Sequence, residues 1–223
     1  SRAPSPPPGS LLLEANPSSV ESPSLEGAPR AFPRGRASNP FCVQRHGPGN
    51  VDYLFEDDEA RARLMRFLEE NAWRAELGAT LGVGKSTLQE THARQSNAEG
   101  THAMWFKVAS ERPRLPLAWW WRWRGAGLVC VDSAELLSPR RHARVVAWAR
   151  RRGTGLLATR HTPSGLLPAW RVKTSREVAA RLARRLAGNE ARALAAVEGA
   201  LDEFDGNARA WLAGLYEKVE EGA

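Results

Sequence analysis

The residues of this 223-residue chain whose types and spacing speak most directly of chemistry are Ala79-Thr80-Leu81-Gly82-Val83-Gly84-Lys85-Ser86-Thr87. They match the relaxed Walker A pattern, Ala or Gly, four residues, then Gly-Lys-Ser/Thr, and read as a phosphate-binding loop at the mouth of a helix. Gly82 and Gly84 let the backbone curl until successive N–H groups aim at one anion, and the helix beginning near Lys85 turns its positive end toward the same place. The cradle for a nucleoside triphosphate would run over Ala79, Gly82, Val83, Gly84, Lys85, Ser86 and Thr87, with Lys85 reaching the β- and γ-phosphates and the Ser86 hydroxyl ligating Mg²⁺. Ala79 stands where the strict pattern has Gly, with Gly78 one residue early. The plain alternative is a glycine-rich turn entering a helix; at average composition this pattern arises by chance in such a chain on the order of one time in a hundred.

Two later segments supply the partners such a loop needs. Gly127-Leu128-Val129-Cys130-Val131-Asp132 is a continuous apolar run, the mark of a buried parallel strand, and it ends in a carboxylate. An Asp at the carboxyl end of such a strand holds Mg²⁺ opposite the phosphate loop; the pattern is common by itself, but Asp132 follows Lys85 by 47 positions, which sharpens it. A glutamate directly after that Asp would orient the attacking water, yet residue 133 is Ser and Glu135 is the nearest substitute. Its position serves two ends equally well, reaching the γ-phosphate or favouring the start of a helix expected over 139–152. The next buried run, Thr154 to His161, ends in polar residues, so Thr159 and His161 become candidate sensors of the γ-phosphate, against the alternative of an ordinary loop histidine.

For these residues to meet, particular elements must carry them. Ala60, Leu64, Phe67 and Leu68 are spaced for an amphipathic helix over 57–70, with Asp57 and Asp58 at its favourable end. Ala75 to Ala79 fits a strand feeding the loop, 85–95 the helix after it, 103–108 a second strand, and Trp170 to Lys173 a fifth; Ser175 caps a helix over about 176–187. Residues 1–38, crowded with Pro, Ser, Gly and Arg, predict a disordered tail, with order beginning near Asn39-Pro40-Phe41. The domain expectation is a core over 39–175 with an N-terminal linker, then a helical portion over 176–223. Trp119-Trp120-Trp121-Arg122-Trp123-Arg124 interleaves rings and charge in the manner of base-stacking or interfacial segments, although core packing is the commoner use of such rings.

The formal charge of +7 suggests nucleic acid, but 28 of the 32 basic residues are Arg and four are Lys, a skew that a GC-rich genome also produces. Charge of this kind speaks of non-specific binding and solubility more than of one partner. Cys42 and Cys130 make no disulfide or metal framework, and Cys130 reads as a buried small hydrophobe. No apolar run is long enough to span a bilayer, and Leu11-Leu12-Leu13 is too short for a signal peptide, so a cytoplasmic protein is expected.

Taken in order, the phosphate loop, the strand ending at Asp132, the polar-ended strand, the fifth strand and the helical portion resemble the AAA+ (ASCE) branch of P-loop ATPases over about residues 39–223. They are also similar to uncharacterised planctomycete-type ATPases. Gly206-Asn207-Ala208-Arg209-Ala210-Trp211-Leu212 looks like the sensor 2 segment, in which an Arg at the start of a lid helix reaches the nucleotide. By that resemblance Arg209 is a γ-phosphate contact and strand 155–159 lies between the phosphate-loop strand and the Asp132 strand, while only Arg160 and Arg171, near the fourth and fifth strands, could act as an arginine finger toward a neighbour in an oligomer. The implied fold is an α/β three-layer sandwich with a parallel sheet and a small C-terminal helical lid. The implied function is an ATP-binding, Mg²⁺-dependent ATPase or ATP-gated switch. A nucleotide-responsive module holding DNA or protein with little turnover stays open beside it. A small-molecule kinase lacks an acceptor-site signature, and an ABC-type ATPase lacks Leu-Ser-Gly-Gly-Gln, although Gly82 to Leu88 and His161 resemble parts of that family.

Overall fold

Five short segments become parallel strands, β3 and β4 being the most continuously apolar: β1 (Arg74–Gly78), β2 (Ala103–Lys107), β3 (Leu128–Asp132), β4 (Gly155–Arg160) and β5 (Ala169–Arg171). The computed structural model describes residues 39–42, 50–110, 115 and 119–221, so the tail expected over 1–38 lies outside the described residues. The sheet order is β2-β3-β4-β1-β5. β4 therefore sits between the strand that feeds the phosphate loop and the strand that ends at Asp132, as expected. The register pairs Leu77 with Thr159 and Val131 with Ala158, which brings the carboxyl ends of β1, β3 and β4 to one edge, where open parallel sheets form their ligand crevice.

Side chains alternate across a strand, and here both faces are apolar. Ala75, Leu77, Cys130 and Leu157 face a layer made by α1 (Asp58–Glu70) and α2 (Lys85–Ala98). Val129, Val131, Leu156 and Ala158 face the opposite layer, made by α3 (Trp119–Arg122) and α4 (Pro139–Arg152). The result is a three-layer α/β sandwich. The Asp57 side chain caps α1 by accepting from the Ala60 N–H at 2.6 Å. Gln89 ties α2 to the sheet: fully buried, it donates to Leu157 O at 2.7 Å and accepts from Trp105 Nε1 at 3.1 Å. Cys130 is fully buried, and burial raises its thiol pKa, which suits an inert core residue. β1 ends at Gly78 because Ala79 has already turned into the loop, and α2 runs on to Ala98 because no breaker precedes Gly100.

A third core belongs to the C-terminal helices α5 (Arg176–Ala187), α6 (Ala191–Gly199) and α7 (Ala208–Glu221). Ala179, Ala183 and Ala193 let these helices approach closely around Trp211 and Leu215, and Trp211 Nε1 donates to Ala200 O at 2.8 Å. Ser175 caps α5 by accepting from the Val178 N–H at 3.3 Å. The segment at 39–42 joins this core: Phe41 is fully buried in it, and Asn39 Nδ2 donates to Tyr216 O at 2.8 Å. Among the described residues no helix is long and apolar enough to cross a membrane.

Candidate nucleotide site

The loop between β1 and α2 is shaped by its own backbone. Gly82 and Gly84 hold φ of 78° and 84°, a region that side chains disfavour. Gly84 precedes α2 without any side-chain cap, so the first-turn N–H groups of this 14-residue helix are left to the cleft that residues 82–87 line. Lys85 is buried, and its ammonium donates to Ala79 O at 2.7 Å and Thr80 O at 2.6 Å. Burial lowers its pKa, while the Glu135 and Asp132 carboxylates pull the other way. Ala79 thus supports the cradle from behind through its carbonyl.

At the end of β3, Asp132 Oδ1 accepts from Ser86 Oγ at 2.7 Å and from Thr159 Oγ1 at 2.6 Å. Thr159 Oγ1 in turn accepts from the Ser133 N–H at 2.8 Å. The two oxygens expected to serve Mg²⁺ are therefore already hydrogen-bonded to each other, whereas the Thr159 hydroxyl, expected as a phosphate sensor, is engaged behind the carboxylate. The adjacency of β3 and β4 causes this. Among the described residues no group of three His, Cys, Asp or Glu could cage a metal alone. One hydroxyl and one carboxylate are the hard, incomplete donor set that suits Mg²⁺, an ion that keeps waters and takes further ligands from phosphate.

After Asp132 the backbone bends through Ser133, whose φ of 59° is left-handed and costs on the order of 1 kcal/mol for a non-glycine residue. A 3₁₀ turn, Ala134–Leu136, follows, while α4 starts only at Pro139, so Glu135 belongs to the cleft lining and not to the start of that helix. Glu135 Oε1 lies 3.0 Å from His161 Nε2, and His161 Nδ1 lies 3.3 Å from Ala79 O. A carbonyl and a carboxylate both only accept, so it takes the imidazolium form, with a proton on each ring nitrogen, for His161 to bridge the glutamate to the root of the phosphate loop. The second carboxylate oxygen of Glu135 is buried with no hydrogen-bond partner among the described residues. Arg160 pins the turn from behind, donating from Nη1 to Ala134 O at 3.1 Å and from Nε to Thr162 O at 3.1 Å. Its guanidinium is thereby engaged within the molecule, and Arg171 is exposed.

Below this turn Glu76, fully buried on β1, accepts from the Ser164 N–H at 2.6 Å and from the Ser164 hydroxyl, with His142 Nε2 at 3.7 Å. Burial and the nearby Arg160 charge lower the His142 pKa, against an upward pull from Glu76. The carboxylate fastens the loop that begins with His161. Nothing in the sequence pattern marked this pairing.

The lid helix is seated directly on the loop. The Arg209 N–H donates to Gly82 O at 3.3 Å, and Asn207 Oδ1 accepts from the Ala210 N–H at 3.1 Å, capping α7. A Cβ on Gly82 would lie 1.7 Å from Asn207 Oδ1, so only glycine permits this seating. The Arg209 side chain is exposed and lines the cleft.

The cleft, about 370 Å³, has an apolar side that sequence reasoning missed: Val51, Tyr53 and Leu54 from the N-terminal segment, opposite Val178, Leu182 and Leu212 from the lid. Tyr53 is fixed there by its N–H to Thr91 Oγ1 at 3.0 Å and its hydroxyl to Lys173 O at 3.3 Å. Burial, aided by Glu56, pushes its phenol pKa up to about 12, keeping it a neutral donor. Lys107, opposite Asp132 in the register, also lines the cleft. Its place at the carboxyl end of an apolar strand was the available signal.

No protein family and no curated protein matches the chain by sequence. Among solved structures it is similar to the replication initiator DnaA bound to AMPPCP and single-stranded DNA, at 10% identity and a TM-score of 0.54, covering 75% of this chain and 62% of that one. A DNA replication initiation factor gives 9% identity and a TM-score of 0.55, covering 76% and 65%. AMPPCP-bound DnaA from Aquifex aeolicus gives 11% identity and a TM-score of 0.53, covering 77% and 63%. The chain thus spans less than two thirds of the length of each. The likeness shows a shared fold, a five-stranded parallel sheet between helical layers followed by a helical C-terminal portion.

Proposed function

We propose that this chain is an ATP-binding, Mg²⁺-dependent P-loop ATPase whose helical lid closes on the nucleotide. The observation that carries the reading is the convergence of Lys85, Ser86, Asp132 and Glu135 on one cleft, with Glu135 held by His161. Lys85 and the first-turn N–H groups of α2 would bind the phosphates, and the apolar slot beside Tyr53 would take the base. Ser86 and Asp132 would hold Mg²⁺, which when bound neutralises phosphate charge. Glu135 would orient the attacking water and accept its proton, His161 would keep that carboxylate in place, and Arg209 would reach the γ-phosphate from the lid. AMPPCP in two of the similar structures supports a nucleotide as the ligand. A cytoplasmic location and a narrower kinship with planctomycete-type ATPases belong to the same reading.

The second reading is a nucleotide-responsive module that grips DNA or protein with little turnover. The solvent-facing Trp120 and Trp121 favour it, as does the single-stranded DNA in one similar structure. Calorimetry and phosphate release separate the two. ATP binding should weaken about a hundredfold in Lys85→Ala, which removes a charge-assisted anchor. Turnover should fall about a hundredfold or more in Glu135→Gln with affinity kept. Unchanged affinity in the first variant overturns nucleotide binding by the loop; tight binding without turnover in the natural chain leaves the second reading.

A further inference from the structure

One corner of the molecule uses its tryptophans in two opposite ways. Trp119 and Trp123 stand four residues apart on α3 and the turn after it, so they share one side; their ring centroids are 4.8 Å apart, and Trp148 of α4 packs on them at 5.5 and 5.9 Å. Trp123 is 3% exposed. This cluster locks α3 to α4. Trp120 and Trp121 point the other way, 49% and 55% exposed, with centroids 4.9 Å apart, planes tilted by 33°, and the Arg124 guanidinium 5.5 Å from the Trp121 centroid. Large rings held in water beside each other on a locked support mark a contact surface more than a packing remnant.

Arginines accompany this segment and the helix that supports it. Arg144, Arg151 and Arg152 lie at i−4, i+3 and i+4 from Trp148, on the face of α4 that meets the tryptophan cluster, and all three are exposed. α4 contains no Asp or Glu. Among the described residues no carboxylate pairs with Arg122, Arg124, Arg144, Arg151 or Arg152. None of these residues lines the nucleotide cleft.

We propose that this corner binds single-stranded nucleic acid, Trp120 and Trp121 stacking on bases while Arg122, Arg124, Arg144 and Arg151 contact backbone phosphates. A single strand is the polyanion that also offers free planar faces; a duplex hides its bases in the stack, and an acidic peptide would use the arginines but leave the rings without a partner. The inference supplies a partner class for the second reading above, and it stands apart from ATP binding because it uses none of the cleft.

The test is anisotropy of fluorescein-labelled (dT)20 with the full 223-residue chain between 50 and 200 mM salt, with ATP affinity measured in parallel on every protein. Binding should weaken with a log–log salt slope of roughly −3 for four phosphate contacts. Trp120→Ala with Trp121→Ala should weaken it at least about tenfold, and Arg144→Glu with Arg151→Glu by a similar factor. ATP affinity should stay within about twofold, which also certifies the fold of each variant. Absence of binding at 50 mM salt overturns the proposal. So does binding that survives both double variants, or a polyglutamate competitor that displaces (dT)20 while the tryptophan variant binds normally. Loss of ATP binding in the natural chain with (dT)20 binding intact sinks the nucleotide reading alone.

Discussion

The phosphate loop and the turn carrying Glu135 face the same cleft, yet they are built by different means. The loop is one contiguous stretch whose shape comes from its own backbone: two glycines in the left-handed region, and a lysine held by carbonyls five and six residues earlier. The turn is assembled from separate segments. Thr159 from β4 braces Asp132 of β3, Arg160 braces Ala134, and His161 joins Glu135 to Ala79, across separations of 26 to 82 residues. On the proposed reading, binding is encoded locally, whereas the positioning of water depends on which strands are neighbours. Damage to the first should appear in affinity, and damage to the second in turnover.

The largest effect that would break this contrast is expected at the loop. Gly82→Ala places a methyl group on Asn207 Oδ1 at a backbone angle alanine resists, and calorimetry should show ATP affinity falling about a hundredfold, roughly 3 kcal/mol. Adding Asn207→Gly should recover part of the loss; no recovery would mean that the seating of α7 on the loop does not matter. A smaller effect concerns the support of α2. His92 is buried against Phe55 and Trp73, and burial, reinforced by Arg61, lowers its pKa to about 4. Because the unfolded chain takes up that proton first, stability is full above the ordinary histidine pKa and is lost as pH falls through the window from about 6.5 toward 4. Unfolding free energies from urea titrations at pH 7 and pH 5 should therefore differ by about 2 kcal/mol more in the natural chain than in His92→Phe. The smallest effect tests the turn: His161→Ala should lower kcat about tenfold with ATP affinity within about twofold, and His161→Gln, which keeps one donor, should recover part of it. A fall in affinity instead would make His161 part of the binding half.

The tryptophan segment shows why legibility was uneven. Read as composition, it favoured packing, and that holds for Trp119 and Trp123; the helical period that turns Trp120 and Trp121 outward was present in the sequence but became visible only once the segment was known to be a helix. Ser175 could be placed as a cap, and Asp57 at the favourable end of α1, because helix-end effects are local, and the run ending at Asp132 could be placed because a strand buried on both faces leaves a continuous apolar signature. Glu76 gave no such signal, since a charged residue inside a strand takes its meaning from Ser164, 88 positions away. Tyr53 and the apolar side of the cleft were equally silent, because they come from a loop and a helix with no motif of their own.

By itself, then, the sequence determined the phosphate loop, the carboxylate at the end of β3 and the α/β alternation, because glycine angles, helix ends and hydrophobic period act over a few neighbouring residues. The packed fold was needed to show that Thr159 serves Asp132, that Glu135 answers to His161, and that Asn207 rests on Gly82. Those pairings follow from β4 entering the sheet between β1 and β3 and from the lid docking on the loop, and chain entropy makes such distant contacts form only when a whole packed core holds them together.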